Sequence, residues 1–223
     1  MMDSKEKRKD AQETCARLLG AASKIFAEKG FLEATVAEIC QMAEANIASV
    51  NYHFGTKEKL YVESWRYAFN TGLAKYPMEH GFDKAQNAEE KLRAIIQTLV
   101  KRISDPESLE FQYINREMAN PTGLLREILE KEILPQQLIV KKVLMELLEV
   151  NDADKHKQTL KFCHASIISQ CLHALKTKTF INNSSGEPHP MFIQNFDEYA
   201  DHIWEFSLAG IKNIKKKIEN EQD

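Results

Sequence analysis

The sequence predicts an all-α protein, and three observations carry that prediction. Gly and Pro are scarce, 8 and 6 in 223 residues, while Glu, Lys, Leu and Ala, which favour helices, are abundant. Apolar residues recur at three-four spacing along most of the chain, the period of a helix with one buried stripe. Glycines, prolines and capping residues fall between the stripes rather than inside them. The expected organisation is a three-helix N-terminal helix-turn-helix domain over residues 1–56, joined to a larger helical domain over 57–223.

The elements follow in order. Cys15, Leu18, Leu19, Ala22, Ile25 and Phe26 form the stripe of a helix over 11–28, which Lys29-Gly30 ends, glycine being suited to the left-handed residue after a last turn. Thr35 and Glu38 form a capping-box pattern for a second helix carrying Val36, Ile39, Cys40 and Ala43. Residues 44–46 are a short break, and 47–54 a third helix stopped by Gly55-Thr56. Thr56 caps a fourth helix from Lys57 to about Lys75. Leu92, Ile95, Ile96, Leu99 and Ile103 mark a fifth over 88–103, and Asp105-Pro106 reads as the start of a sixth reaching Asn120. Helical patterns then cover 124–134 and 136–150, separated or kinked at Pro135, followed by 154–176 and 190–219. TKTFINNSSGEPHP, between those last two, reads as a polar loop.

Composition bounds the function. The net charge is −3, so the chain as a whole is no basic nucleic-acid coat, and basic and acidic residues balance within 1–60. A DNA role for that part therefore requires its positive charges to share one face. The start, MMDSKEKRKD, has no apolar core of a signal peptide, and no run of about 18 apolar residues spans a membrane. A cytoplasmic protein with reduced cysteines is expected. Cys15 and Cys40 fall on apolar stripes. Cys163 and Cys171 lie roughly 12 Å apart along one helix, too far for a disulfide within the chain, a bridge to a second subunit being the alternative that a reducing cytosol disfavours.

Two short helices separated by a three-residue break form a helix-turn-helix. Its second member can bury Ile47 or Val50 together with Phe54. Short polar groups and a flat aromatic on its free face suit the major groove and the phosphates beside it. Thr35, Tyr52, His53 and Lys57 are the phosphate candidates; Asn46, Ile47, Ala48, Ser49 and Asn51 are the base-edge candidates. With no arginine on this helix, bidentate reading of guanine is limited. His53 serves equally as a packing residue beside Phe54. A basic arm of Lys5, Lys7, Arg8 and Lys9 is nearly cancelled by Asp3, Glu6 and Asp10.

The stretch TVAEICQMAEANIASVNYHFGTKEKLY resembles the DNA-binding segment of TetR/AcrR-family transcription regulators, through Thr35, Ile39, Ala43, His53, Phe54, Lys57, Glu58 and Leu60. NYHFGTKEKLY, with REMANPTG at 116–123 and SIISQCLHAL at 166–175, is similar to one subgroup, that with a CerR-like C-terminal domain. The sequence departs from the family at the turn. Glu44 stands where the family usually has glycine, requiring either a right-handed turn or a left-handed residue with a small strain, and Asn51 replaces a common tyrosine. The resemblance implies a homodimeric repressor on a palindromic operator, released when a small apolar or amphipathic effector enters the larger domain. That domain would then serve ligand binding and dimerisation.

Further groups stand outside the DNA-binding segment. Ser207 and Gly210 permit close helix approach between Ile203, Phe206, Ile211 and Ile214. With Ile167 and Cys171 on the preceding helix they form a candidate four-helix dimer interface, the alternative being an ordinary core within one chain. Gln112, Tyr113 and Arg116 are candidates for a ligand-pocket wall, or else an Arg116–Glu117 network tying helices together. Phe69, Leu73, Phe162, Gln170 and His173 are further pocket candidates. His164 and His173 lie on opposite sides of one helix and no Cys-x-x-Cys pairing occurs, so no metal and no cofactor is expected. No acid/base pair or phosphate loop marks an enzyme. A DNA-binding module governed by a protein partner is the remaining alternative.

Overall fold

The computed structural model describes residues 4–183 and 193–220, apart from the side chains of residues 4, 5, 7 and 176–183. Among them are nine helices: α1 (Ser4–Glu33), α2 (Val36–Met42), α3 (Ile47–His53), α4 (Lys57–Lys75), α5 (Ala88–Ser104), α6 (Glu110–Ala119), α7 (Arg126–Leu148), α8 (Lys157–Asn183) and α9 (Phe196–Asn220). The chain folds as two compact units, one of residues 1–74 and 106–132, the other of 75–105 and 133–223. These units follow packing, whereas the division at 56/57 drawn from the sequence is one of roles.

In the first unit α1 packs on α2, α3 and α6. Leu18, Ala22, Phe26, Ile39, Val50, Leu60, Tyr61, Trp65 and Tyr113 are all but fully buried, each large apolar side chain contributing about 1.5–3 kcal/mol. Ser23 and Tyr113 find partners inside this region, whereas the buried Trp65 Nε1 has none among the described residues. Ser23 Oγ donates to the Leu19 carbonyl at 2.7 Å and the Ser64 carbonyl at 2.9 Å. Tyr113 Oη lies 2.9 Å from Ser64 Oγ and donates to the Ala22 carbonyl at 3.3 Å. Burial drives the Tyr113 hydroxyl far above its ordinary value, so it stays a neutral hydrogen-bonding group.

In the second unit α5 packs on α8 and α9, which pack on each other. Leu92, Ile95 and Ile96 of α5, Leu160, Ile167 and Cys171 of α8, and Ala200 and Ile203 of α9 are buried. Burial pushes the Cys171 thiol up to about 12, so it acts as a small apolar side chain. At the rim Trp204 Nε1 donates to the Glu89 carbonyl at 3.0 Å, and Arg93 reaches Asp201 at 3.0 Å.

Several boundaries differ from the sequence expectation for local reasons. Helix α6 begins at Glu110, not at Asp105. The Asp105 carboxylate instead accepts from Tyr76 Oη at 2.9 Å and pairs with Lys75 at 2.7 Å, so it ends α5 rather than opening α6. Pro135 lies within a continuous α7 on its exposed side. Helix α8 runs to Asn183 through the first half of the expected loop; residues 184–190 of that loop lie outside the described residues, as do the side chains of Lys5 and Lys7. Arg8 and Lys9 are exposed.

Candidate nucleic-acid interface

The candidate interface is built on the start of α2, the turn after it, and α3. Thr35 caps α2: its Oγ1 accepts the Glu38 N–H at 3.2 Å, while the Thr35 N–H donates back to the Glu38 carboxylate at 3.1 Å. Lys29 Nζ donates to the other carboxylate oxygen at 2.6 Å. That bond and those from Thr35 hold the Glu38 carboxyl down at about 2. A phosphate contact by the Thr35 hydroxyl would therefore have to displace Glu38, to which it also donates at 2.9 Å.

The turn closes as a Schellman motif. The Ala45 N–H reaches the Cys40 carbonyl at 2.9 Å and the Glu44 N–H the Gln41 carbonyl at 3.3 Å. Glu44, with φ 49, occupies the left-handed residue, so of the two ways a glutamate can replace glycine here the chain takes the strained one. Arg17 Nε donates to the Ala43 carbonyl at 3.1 Å and braces the end of α2. Beside the turn lies a groove of about 630 Å³ lined by Arg17, Lys24, Met42, Glu44, Tyr67 and Glu107 among others, with no excess of either charge.

Helix α3 is anchored by Val50 and Phe54, both buried. Asn46 is its N-cap, with Oδ1 accepting from the Ser49 N–H at 2.8 Å and Ser49 Oγ at 3.0 Å. That leaves the Asn46 amide nitrogen, not its oxygen, for an outside partner. Gly55, with φ 76, ends the helix. The opposite face is open: Ile47 is 54% and Tyr52 80% exposed, and Ala48 and Asn51 are exposed with them. His53 is half-buried, its ring edge-on to Tyr52 at 4.9 Å and 6.0 Å from Phe54, so it props Tyr52 from behind. Lys57, first residue of α4, holds its ammonium 4.6 Å from the centroid of the Phe31 ring. Phe31 belongs to no apolar stripe, and no pattern in the sequence marks it.

The pocket candidates fall into both compact units. In the first, Phe69 is buried and stacks on Trp65 with centroids 5.0 Å apart, Leu73 and Gln112 are half-buried, and Tyr113 sits in the core described above. Arg116 Nε donates to the Ala27 carbonyl at 2.7 Å and lines a small pocket of about 160 Å³ with Tyr61, Glu117 and Asn120. In the second, Phe162 is 59% exposed. Gln170 Nε2 donates to the Ser166 carbonyl and to Ser207 Oγ, and the exposed His173 lies 6.3 Å from the Tyr199 ring. The dimer candidates divide by face. Ile167, Cys171, Ile203, Ser207 and Ile211 are buried within the one chain, Ile214 is half-buried, and Phe206 and Gly210 are exposed. No group of three or more His, Cys, Asp or Glu side chains among the described residues is placed to hold a metal. None of the described helices is long and apolar enough to cross a membrane.

Residues 18–63 match the family of bacterial regulatory proteins, tetR family. Residues 88–211 match the C-terminal domain of the HTH-type transcriptional dual regulator CecR, so the subgroup label is CecR rather than CerR. The HTH-type transcriptional repressor NicS of Pseudomonas putida is 31% identical over 83 residues, a stretch spanning 37% of this chain and 33% of NicS. Among solved structures, the fatty acid degradation regulator FadR from Bacillus halodurans superposes with TM-score 0.65 at 15% identity, covering 87% of this chain and 98% of that one. FadR from Bacillus subtilis, in complex with stearoyl-CoA, gives 0.65 at 16% identity over the same shares. At such identities the likeness is one of fold.

Proposed function

Since the chain belongs to the TetR family of transcriptional regulators, with a CecR-type C-terminal domain, we propose that it is a cytoplasmic homodimeric repressor that reads a palindromic operator through α3. On this reading residues 1–56 carry DNA binding, and 57–223 carry dimerisation and effector binding. The observation that carries it is the division of α3 into a buried anchor, Val50 and Phe54, and an exposed face of Ile47, Ala48, Asn51 and Tyr52. A seven-residue helix is marginal alone, so its position is set by that anchor and its outer face is free for recognition. Ile47 and Ala48 offer apolar contact to thymine methyls, Asn51 a bidentate partner for adenine, and Tyr52 and Lys57 contacts to phosphates.

Reading a palindrome requires two copies of α3 at a fixed spacing. The exposed face of α8 and α9 supports the pairing: Phe206, Ala209 and Gly210 on α9, with Phe162, Ala165, Ser166 and Ser169 on α8, combine large and small side chains on neighbouring helices. The effector is an apolar or amphipathic small molecule, a class in keeping with the stearoyl-CoA bound by the B. subtilis relative. It releases DNA by binding better the state whose two recognition helices no longer match the operator, and operator must weaken effector binding by the same factor. Selection of bound duplexes from a random pool at stated salt tests the reading. A recovered palindrome with half-sites about one helical turn apart is the expected result; recovery without sequence preference overturns it.

A further inference from the structure

We propose that Phe31 is a positioning residue for DNA binding, holding the Lys57 ammonium over its ring for delivery to a phosphate. The proposal rests on the reading of Lys57 as a phosphate contact. Lys57 Nζ stands 4.6 Å from the Phe31 ring centroid, and both residues are half-buried. A cation over an aromatic face at this distance is held electrostatically, and the ring supplies no counter-charge.

That last property separates Lys57 from Lys29 in the same unit. Lys29 is fixed by a carboxylate at 2.6 Å and its charge is largely spent on Glu38. Lys57 forms no ion pair among the described residues. It is ordered by an uncharged ring, with the neighbouring Glu58 carboxylate feeling its field but not pairing with it, so most of its charge is left for the backbone of the duplex. A free lysine stem carries about 2 kcal/mol of rotamer entropy, and a ring that already restricts it lowers the cost of ordering on DNA.

The ring itself is fixed from below. Gly30 departs from helical geometry at φ 76 and ψ 179, which kinks α1 just before Phe31. The Phe31 ring then packs on Tyr61 at 5.3 Å and Phe26 at 6.4 Å. Tyr61 Oη donates to Glu117 at 3.2 Å. The same carboxylate accepts the Thr122 and Gly123 N–H groups, each at 2.9 Å. The REMANPTG segment singled out in the sequence thus forms the base of the platform on which Lys57 rests.

The test is a double-mutant cycle of Phe31→Leu and Lys57→Ala in the full-length protein. Binding of a fluorescent random-sequence duplex is measured across a low-salt series, since a phosphate contact is independent of sequence. Lys57→Ala is expected to weaken binding and to flatten the salt dependence, by about 0.9 in slope for each phosphate that is no longer neutralised. Phe31→Leu is expected to weaken binding about three- to tenfold in the wild-type background and to have little effect in Lys57→Ala, while Phe31→Tyr, which keeps the ring, binds as wild type. Thermal unfolding of each variant separates these effects from loss of fold. If Lys57→Ala changes neither affinity nor slope, the phosphate reading falls and the proposal with it. If Lys57→Ala behaves as expected but Phe31→Leu costs the same in both backgrounds, or tightens binding, the positioning role alone is overturned.

Discussion

Helices α3 and α9 both present apolar side chains to solvent, and they do so in different company. On α3 the exposed Ile47 and Tyr52 stand beside Ala48 and Asn51, on a helix of seven residues. On α9 Phe206, 65% exposed, is followed by Ala209 and Gly210 on a helix of 25 residues whose other face holds Ile203, Leu208 and Ile211 in the core. An isolated exposed apolar residue means little; its neighbours decide what would cover it. Hydrogen-bonding groups on a short, well-anchored helix fit the floor of a groove with its own donors and acceptors. Small residues along a long helix fit another helix backbone at close range. On the proposed reading the two surfaces are complementary in function, because a dimer held through α8 and α9 would bring two copies of α3 to one operator.

The largest expected effect breaks the second surface. Gly210→Arg places a bulky charge where the proposed pairing needs close approach, and sedimentation should show a monomer at micromolar concentration. Operator affinity should then fall by at least about a hundredfold, because the second half-site no longer binds as an intramolecular partner. A Gly210→Arg protein that stays dimeric would move the interface elsewhere. Next come changes on α3. Tyr52→Ala should weaken all duplexes alike, by about tenfold for removal of a hydrogen bond to a charged phosphate. Asn51→Ala should change the order of preferred sequences, with about 1–3 kcal/mol of discrimination removed at one base position. Repeating the duplex selection with both variants distinguishes the two roles, and a uniform loss for Asn51→Ala would remove it from base reading.

Much of this arrangement is legible in the sequence because it is local. The stripe of α4 gives Lys57–Lys75, and Thr35 with Glu38 gives the capping box, since both are set by residues within a few positions of each other. The exposed face of α3 follows from one amphipathic turn. What the sequence hides depends on distant partners. Nothing near Tyr113 announces that its hydroxyl meets Ser64 and Ala22, so a buried core residue resembles a pocket residue. Ile167, Cys171, Ile203 and Ile211 satisfy the pattern of an interface, but a stripe does not say whether it is covered by its own chain, as these are. Phe31 stands after a glycine and outside every stripe, and only the fold brings Lys57 over it.

A smaller effect compares the two units through a shared backbone strain. Glu44 and Glu149 both occupy the left-handed residue after a helix, with φ 49 and 53. A side chain there costs about 1–2 kcal/mol, and glycine returns about 0.5–1 of it through greater freedom in the unfolded chain. Glu44→Gly should therefore stabilise by roughly 0.5–1 kcal/mol, raising Tm by about 1–4 °C in a chain of this size. Glu149→Gly should gain less, because Glu149 also pairs with Lys215 at 2.5 Å. Equal gains at the two sites would show that this ion pair contributes nothing.

The smallest effect concerns what supports α2 in front of α3. The Glu38 carboxyl is depressed from 4.5 to about 2, first by its hydrogen bond from Lys29 and then by those from Thr35. A depressed carboxyl contributes stability that is fully present above about pH 4.5 and is lost as pH falls through about 2. Glu38→Gln keeps the shape of the cap and removes the charge. Its Tm should lie slightly below wild type at pH 6, and the gap should close between pH 4.5 and 2 as the wild-type carboxylate takes up its proton. Both partners are more than a third exposed, so the gap should also narrow at high salt. A gap that is constant in pH would mean that the cap's geometry, and not the Lys29–Glu38 charge pair, holds the start of α2 in place.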